Sequence, residues 1–386
     1  MKKVLSLTLA LIMIFALCSV GVAHADNPVV KIGVFEPQSG DNGAGGKQEI
    51  LGMQYANHLT PTVDIGGTTY DVELVYADNA SSNDKAPTAA QTLISSGVSL
   101  VLGSYGSGVS IAASDTFDAA GMPAIGVTCT NPQVTLGCDV YFRICFTDPF
   151  QGPILAAYAK NNLGAAKAYC LAKQGDDYSG GLCNYFMEAF GKDNCVYEQF
   201  PEGTSDYSTY ITNAQNQGCD VFFAPVSTEA AAQIIAKADT QGLGMPMLAG
   251  DTWDSNVITD AAKGKNVQVC VSTFYQEGAD ADFDKGIKEW INSDSTAKAN
   301  NGGNDMVAAV TVMGYDAYYF ALEALKAAGS TDPADVLEAL PGVTFNGVGG
   351  FIEFDENGDA KRDVAVIKEC NTETGEWSFL DLAHIS

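Results

Sequence analysis

Short apolar segments alternate with longer amphipathic segments from residue 29 onward, and this alternation constrains the fold more than any other feature of the chain. Short apolar runs predict buried strands, and apolar residues spaced three and four apart predict helices. In the first series the predicted strands are 29–35, 71–76, 98–102, 123–127 and 140–146, and the predicted helices are 48–57, 84–96 and 109–120. Alternation of this kind predicts a parallel sheet with helices on both faces.

A second series of the same kind follows the turn at 147–149. Its predicted helices are 152–162, 178–190, 207–217 and 228–241, and its predicted strands are 167–172, 195–200, 220–225, 245–249 and 267–272. After it come three predicted helices and then three predicted strands, at 283–292, 305–328, 333–340, 350–354, 363–370 and 377–380. Two tandem series predict an α/β fold of two doubly wound lobes, and 386 residues are enough for two domains.

The first 25 residues have the pattern of a secretory signal peptide. Two lysines precede an apolar stretch over 4–22, and Ala23-His24-Ala25 is a small-x-small cleavage site. Two alternatives stay open: an uncleaved membrane anchor, and lipid attachment at Cys18, although the leucine before it is not the small residue that such a site prefers. We therefore expect an exported protein, in the periplasm or at the extracellular cell surface.

The acidic surface argues against some partners. Removing the leader removes two lysines and no acidic residue, which leaves 18 basic residues against 47 acidic ones and a net charge of −29. Such a surface repels the phosphate backbone, so we expect no nucleic-acid partner.

Cysteines and histidines supply little chemistry in this chain. Nine cysteines remain after the leader, and none forms a C-x-x-C motif, which argues against a zinc ribbon or a redox motif. The sequence does not decide between two disulfides, Cys129–Cys138 and Cys183–Cys195, and a state in which all nine cysteines are reduced. The two remaining histidines, His58 and His384, stand near no plausible nucleophile in the sequence pattern.

The sequence also lacks the common catalytic motifs. It contains no G-x-S-x-G, H-E-x-x-H or G-x-x-x-x-G-K-[ST]. The acidic turn at 355–359 lacks the later glycine and glutamate of a calcium loop, so an Asn-Gly turn is expected there. We therefore expect no metal, no cofactor and no enzymatic activity. An exported hydrolase that uses a pair of carboxylates is the alternative outside the binding proteins.

The segment VLGSYGSGVSIAASD, from Val101 to Asp115, joins a predicted strand to a predicted helix. Its glycines stand in the reverse order of the dinucleotide motif, and no acidic residue ends the next strand, which argues against NAD. A helix N-terminus binds anions, and Thr128-Cys129-Thr130-Asn131-Pro132 ends the neighbouring strand. Ser107 and Thr130 therefore predict a site for one small carboxylate.

The chain resembles a known family, the type I periplasmic solute-binding proteins that bind leucine, isoleucine and valine. The segments that carry the resemblance are VFEPQSGDNGAGGKQEILG, VLGSYGSGVSIAASD, TCTNPQVT, FRICFTDPFQG, DDYSGG and LAGDTWDSNVI. The resemblance implies two α/β lobes joined by three hinge crossings, which close around a ligand. It places 26–147 with 274–349 in lobe one and 148–273 with 350–386 in lobe two, and it implies a monomer that serves the permease subunits of an ABC transporter.

The resemblance also implies roles for individual residues. Ser107 and Thr130 would bind the carboxylate of an amino acid, and the carbonyl of Thr128 would accept from its ammonium. Tyr178 would reach across the cleft, and Asp251 would pair with the ammonium. The alternatives are a helix-capping role for Asp251 and a core-packing role for Tyr178.

Other candidates would shape the pocket. Gly106 lets the backbone approach the ligand, and Cys129 lies between the two threonines of its loop. Tyr105 and Trp253 would form apolar walls, since Gly45 and Ser227 stand where the family often has aromatic residues. Leucine, isoleucine or valine is the first expected ligand; an aromatic amino acid, a polar amino acid and a small amide stay open, as does a sensor that reports to a receptor or regulator.

Overall fold

The computed structural model describes residues 27–384, so the predicted signal peptide and the alternative lipid site at Cys18 lie outside the described residues. The first half of the chain builds a six-stranded sheet with three helices. Its strands are β1 (Val29–Glu36), β2 (Thr62–Ile65), β3 (Thr68–Asp78), β4 (Leu100–Leu102), β5 (Ala124–Gly126) and β6 (Tyr141–Arg143). Its helices are α1 (Gly43–Leu59), α2 (Ala86–Ser95) and α3 (Ser107–Ala120).

The strand order in this sheet is β2-β3-β1-β4-β5-β6. All neighbours are parallel except β2, which pairs antiparallel with β3. Every residue of β4 and β5 is buried, as expected for short strands covered by helices on both faces. The carboxyl ends of β1, β4 and β5 therefore open onto one edge.

The middle of the chain repeats this arrangement. The helices are α4 (Asp148–Asn161), α5 (Asp177–Phe190), α6 (Ser208–Asn216), α7 (Thr228–Gln241) and α8 (Asn256–Ala262). The strands are β7 (Ala168–Lys173), β8 (Cys195–Phe200), β9 (Val221–Phe223), β10 (Met247–Ala249) and β11 (Val269–Thr273). The five strands are parallel to their neighbours.

The last part of the chain returns to the first sheet and then joins the second. It comprises α9 (Ala281–Ser293), α10 (Ser295–Asn300), α11 (Ala309–Ala328), α12 (Pro333–Ala339), β12 (Thr344–Gly347), β13 (Gly350–Glu353), β14 (Val364–Asn371) and β15 (Glu376–His384). β14 and β15 extend the second sheet antiparallel, in the order β15-β14-β11-β10-β9-β7-β8. The chain thus passes between the two sheets after β6, after β11 and between β13 and β14.

The predicted fold class, two sheets of mostly parallel strands with helices on both sides, is confirmed. Some elements differ from the prediction. β2 and β12 were not predicted, because each is a four-residue strand without a continuous apolar run. The predicted helix 305–328 begins only at Ala309, after the separate α10. The first strand of the tail, β13, pairs with β12 in a two-stranded hairpin, so the tail reaches the second sheet only at β14.

α1 and α11 pack against each other at unusually close range. Gly52 lies against the backbone of Thr311, and Gly314 lies against the backbone of Glu49, so that a Cβ on either glycine would overlap the opposing helix. This crossing sets the position of Glu49 beneath the edge where β4 and β5 end.

All nine cysteines of the described chain are free thiols, and eight of them are buried. The two alternative disulfides, Cys129–Cys138 and Cys183–Cys195, are therefore absent from the described residues, and these thiols pack as small apolar side chains. No helix within residues 27–384 is both long and apolar enough to cross a membrane.

Candidate functional site

The carboxyl edges of the two sheets face each other, and direct bonds join them. The Tyr105 hydroxyl donates to the carbonyl of Thr252 at 3.2 Å, and the Asn131 side chain donates to the carbonyl of Asp177 at 2.8 Å. Lys173, at the end of β7, forms an ion pair with Asp41 at 2.9 Å. The two lobes are thus closed on each other.

A cavity of about 60 Å³ lies between these edges. Six of the ten residues predicted from the sequence line it: Tyr105, Gly106, Ser107, Thr128, Tyr178 and Ser227. Residues that were not predicted from the sequence also line the cavity, notably Asp41, Lys173 and Thr252. The predicted loops therefore do meet at one place, with side chains from both lobes.

The N-terminus of α3 forms one wall of the cavity. Ser107 is the first residue of the helix and Gly106 is its N-cap, and the first turn holds no acidic residue that would neutralise the helix dipole. The Ser107 hydroxyl accepts a hydrogen bond from the Asn131 amide at 3.2 Å, which ties the loop after β4 to the loop after β5. Free amides at a helix start, beside a hydroxyl, form a site that favours a carboxylate.

Asp251 lies directly behind the opposite wall. Its Oδ1 accepts hydrogen bonds from the Gln151 amide at 2.9 Å and from the Tyr178 hydroxyl at 3.1 Å. Burial raises the pKa of Asp251 to about 6. Ser255, and not Asp251, caps the following helix α8, and Tyr178 places its hydroxyl on Asp251.

Three predicted residues besides Asp251 do not line the cavity. Trp253 is fully buried in the core of the second lobe, and its indole N–H donates to the carbonyl of Val226 at 3.1 Å. The Cys129 side chain points into the first lobe, where burial raises the pKa of its thiol to about 11. Thr130 is also fully buried, and its carbonyl accepts from the amide of Asp148. These residues support the loops that form the walls.

Arg143 and Asp359 hold the loop after β5 without lining the cavity. Arg143 is fully buried, forms an ion pair with Asp359 at 2.5 Å and donates to the carbonyls of Cys129 and Asn131. The guanidinium therefore fixes the loop after β5 from below.

Two further acidic residues, which the sequence did not predict for the site, lie behind the wall of the cavity. Glu36, the last residue of β1, accepts from the Tyr105 amide at 2.7 Å. Glu49, on α1, accepts from the Thr128 hydroxyl. Burial is the largest cause that raises the pKa of Glu36 well above its usual range and that of Glu49 to about 8. The available signal was an acidic residue on the face of α1 that otherwise carries buried residues.

Comparisons with known proteins place this chain in a family. The family model described as periplasmic binding protein matches residues 29–372, and the chain belongs to this family. A Leu/Ile/Val-binding protein homolog of Brucella abortus is 29% identical over 347 residues, which are 88% of this chain and 89% of the relative. An amino acid binding protein of Pseudomonas aeruginosa is 29% identical over 353 residues, which are 90% and 91% of the two chains.

A solved structure agrees with these relatives. The crystal structure of a leucine-binding protein from Thermotoga maritima superposes with a TM-score of 0.79 at 30% identity, covering 92% of this chain and 99% of that one. The chain is thus a periplasmic solute-binding protein of the branched-chain amino acid family, and the predicted absence of enzymatic activity agrees with the binding proteins to which it is similar.

Proposed function

We propose that this protein captures a free amino acid outside the cytoplasm, by closure of its two lobes, and presents it to the permease subunits of an ABC importer. The observation that carries the proposal is the arrangement of the cavity, where the N-terminus of α3 with Ser107 faces Tyr178 and Asp251 on the other lobe. An anion site thus faces an acidic site across one small space.

The carboxylate of the ligand would bind at the start of α3. Ser107 would donate its hydroxyl, and the free amides that follow Gly106 would donate from the first turn. Neutral donors suit a ligand whose own ammonium already balances its carboxylate. Thr130, which the resemblance also assigns to the carboxylate, does not line the cavity and would act by holding the loop after β5, since its carbonyl accepts from the amide of Asp148.

The ammonium of the ligand would bind on the side of Tyr178 and Asp251, together with the carbonyl of Thr128. A buried zwitterion needs partners for both charges, because an unpaired buried charge carries a large desolvation penalty. The pKa of about 6 for Asp251 is consistent with a carboxylate that lacks a cation until the ligand supplies one.

Closure gives the membrane components a state to recognise. The ion pair between Lys173 and Asp41 and the bond from Tyr105 to Thr252 exist only while the lobes are together. These bonds close the lobes over the cavity of about 60 Å³, so a ligand has to enter while the lobes are apart. We propose a monomer exported to the periplasm or cell surface, with leucine, isoleucine and valine as reference ligands.

A thermal-shift screen of the exported chain against the free amino acids tests this proposal. A ligand that binds only the folded protein raises its melting temperature by mass action. The Ser107→Ala variant should lose the shift, whereas Ser114→Ala, on the same helix but outside the cavity lining, should keep it. Absence of any shift, or an equal shift in both variants, would contradict the assignment.

A further inference from the structure

Part of the cavity lining is polar and is not used by the two charges of the proposed ligand. The proposed carboxylate site is the start of α3, and the proposed ammonium site includes Thr128 and Tyr178. The side chain of a bound amino acid therefore faces the rest of the lining. Six polar residues of that remainder are called the polar wall here: Asp41, Asn42, Ser81, Asn83, Lys173 and Asp176.

The polar wall is assembled from three loops at the carboxyl ends of strands. Its first two residues lie between β1 and α1, the next two lie between β3 and α2, and the last two lie at the end of β7 and before α5. The Ser81 hydroxyl accepts from the amide of Asn42 and donates to the carbonyl of Ser39, both at 3.1 Å, which joins the first two loops. The third loop belongs to the other lobe, so the wall is complete only when the lobes are closed.

Asn42 is the member of the wall whose side chain lacks a partner. It stands at the N-cap of α1, yet its side chain makes no capping hydrogen bond. Its Oδ1 is buried and has no donor, and among the lining residues within 27–384 it is the one buried side-chain atom in this condition. Buried polar groups are normally satisfied, so a carboxamide in the lining calls for a polar group on the ligand.

The charged members of the wall already have partners. Lys173 forms ion pairs with Asp41 at 2.9 Å and with Glu202 at 2.6 Å. Asp176 caps α5 by accepting from the amide of Ser179 at 2.8 Å. A charged ligand side chain would therefore have to displace one of these partners, whereas an uncharged one leaves them in place.

The lining offers little apolar surface to an aliphatic side chain. Within residues 27–384 its aliphatic side chains are those of Pro37 and Val109. A small apolar cluster of Tyr105, Ala308 and Val310 lies beside the cavity, but Tyr105 is the member of this cluster that lines it. Burial of aliphatic groups stabilises a complex in proportion to the apolar area that leaves water, and a hydrogen-bonding wall left facing such a group loses its water without replacement.

From this arrangement we infer that the ligand is an amino acid with a short, uncharged side chain that ends in a hydroxyl or carboxamide group, and that this group binds at the polar wall beside Asn42. The inference rests on the proposed function, which supplies the sites for the α-carboxylate and the α-ammonium. Hydroxyl and carboxamide groups both donate and accept hydrogen bonds, which is the chemistry that complements the amide of Asn42. The small closed cavity, of about 60 Å³, favours a short side chain.

Pairs of ligands with nearly equal shape test the inference by calorimetry on the exported chain. Threonine is compared with valine, and asparagine with leucine, because each pair exchanges a polar group for a methyl or methine group of similar size. A site that hydrogen-bonds a ligand group discriminates strongly against the analogue that lacks this group. We expect threonine to bind about tenfold to a hundredfold more tightly than valine, or asparagine to exceed leucine by the same factor.

The variant Asn42→Leu tests the part played by the wall. It removes the carboxamide at nearly constant size, and no capping bond of α1 is lost with it. We expect the preference for the polar ligand of the pair to fall at least threefold. The matched control is Asn216→Leu, at an exposed position at the end of α6 and outside the lining, which should keep the preference of the wild type. Melting temperatures show whether both variants fold.

The outcomes separate this inference from the proposed function. A preference below tenfold in both pairs, or tighter binding of lysine, aspartate or glutamate than of threonine and asparagine, would overturn the inference and leave amino-acid capture standing. An unchanged preference in folded Asn42→Leu would also overturn it. If that variant does not fold, the ligand pairs on the wild type decide. Failure of every free amino acid to bind would overturn the proposed function itself.

Discussion

Replacing Asp251 by asparagine should stabilise the protein and abolish ligand binding. Opposite changes in stability and in ligand affinity from one substitution are a sensitive test of the proposed site. The side-chain amide of the Asp251→Asn variant retains an oxygen that can accept from Gln151 and Tyr178, so the local hydrogen bonds survive. The substitution removes the ionisable group that is fully buried on the second lobe and that the ligand ammonium is proposed to pair with.

The expected gain in stability follows from the pKa of Asp251. Burial raises this pKa from 3.8 to about 6, so keeping Asp251 ionised in the folded protein costs about 3 kcal/mol. The pKa of Asp251 is higher in the folded protein than in the unfolded chain, so the folded protein binds the proton more tightly. The free energy of unfolding of the wild type therefore falls as the pH rises from about 4 to about 6. Asparagine does not titrate, so the gain should be near zero at pH 4 and close to its full size at pH 7.5.

Binding should respond in the opposite direction. Removing one member of a buried, hydrogen-bonded charge pair weakens a complex by about 2–5 kcal/mol, which is about 30-fold to 3,000-fold in affinity. Urea unfolding at pH 4 and pH 7.5 and calorimetry with the tightest amino acid from the screen measure the two effects. A variant that is less stable than the wild type at pH 7.5, or that binds with unchanged affinity, would refute the reasoning.

Three further predictions concern the cleft and its support. Amino-acid affinity should fall about tenfold per pH unit below pH 6, because only ionised Asp251 pairs with the ammonium; calorimetry that shows no change between pH 8 and pH 5 would contradict this. Lys368→Met removes the cation of a fully buried ion pair and should destabilise the protein by about 3–5 kcal/mol in urea unfolding, whereas Lys361→Met, at an exposed pair, should change stability by at most about 1 kcal/mol. Gly45→Ala would push a Cβ into the Tyr105 ring and should weaken amino-acid binding about fivefold to a hundredfold in calorimetry, with wild-type affinity as the contrary result.

The spacing of apolar residues predicted the helices and strands in which that spacing is uninterrupted. The helix 228–241 was predicted with the bounds that the structure shows, because Ser227 caps its start and Gly242, with a φ of 62°, ends it. β2 escaped prediction because its four residues alternate between polar and apolar and are too few to register as a pattern. A hairpin of that length depends on pairing with β3, which is a tertiary contact.

The site was predictable as a set of loops but not as a set of side chains. Strand order brings the carboxyl ends of β4 and β5 together, so Ser107 and Thr128 could be placed at one edge from the sequence. The direction of each side chain within such a loop depends on packing, which is why Thr130, Cys129 and Trp253 face the interior.

The buried acids show a different limit. An acidic residue in an amphipathic helix normally indicates the solvent face, so the one signal for Glu49 was its position among the residues of α1 that are buried. Its burial results from the close crossing of α1 and α11 at Gly52 and Gly314, two segments far apart in the chain. Lys173 was missed for a similar reason, because its partner Asp41 belongs to the other lobe.

The central claim, capture of a free amino-acid zwitterion between the lobes, is tested most directly by calorimetry with one amino acid and its two singly blocked derivatives. The tightest ligand from the screen is compared with its α-N-acetyl form, which lacks the ammonium, and with its carboxamide, which lacks the carboxylate. The account predicts one molecule of free amino acid per chain and binding of both derivatives that is weaker by about a hundredfold or more, since each leaves one buried site without its partner. Equal binding of either derivative would contradict it.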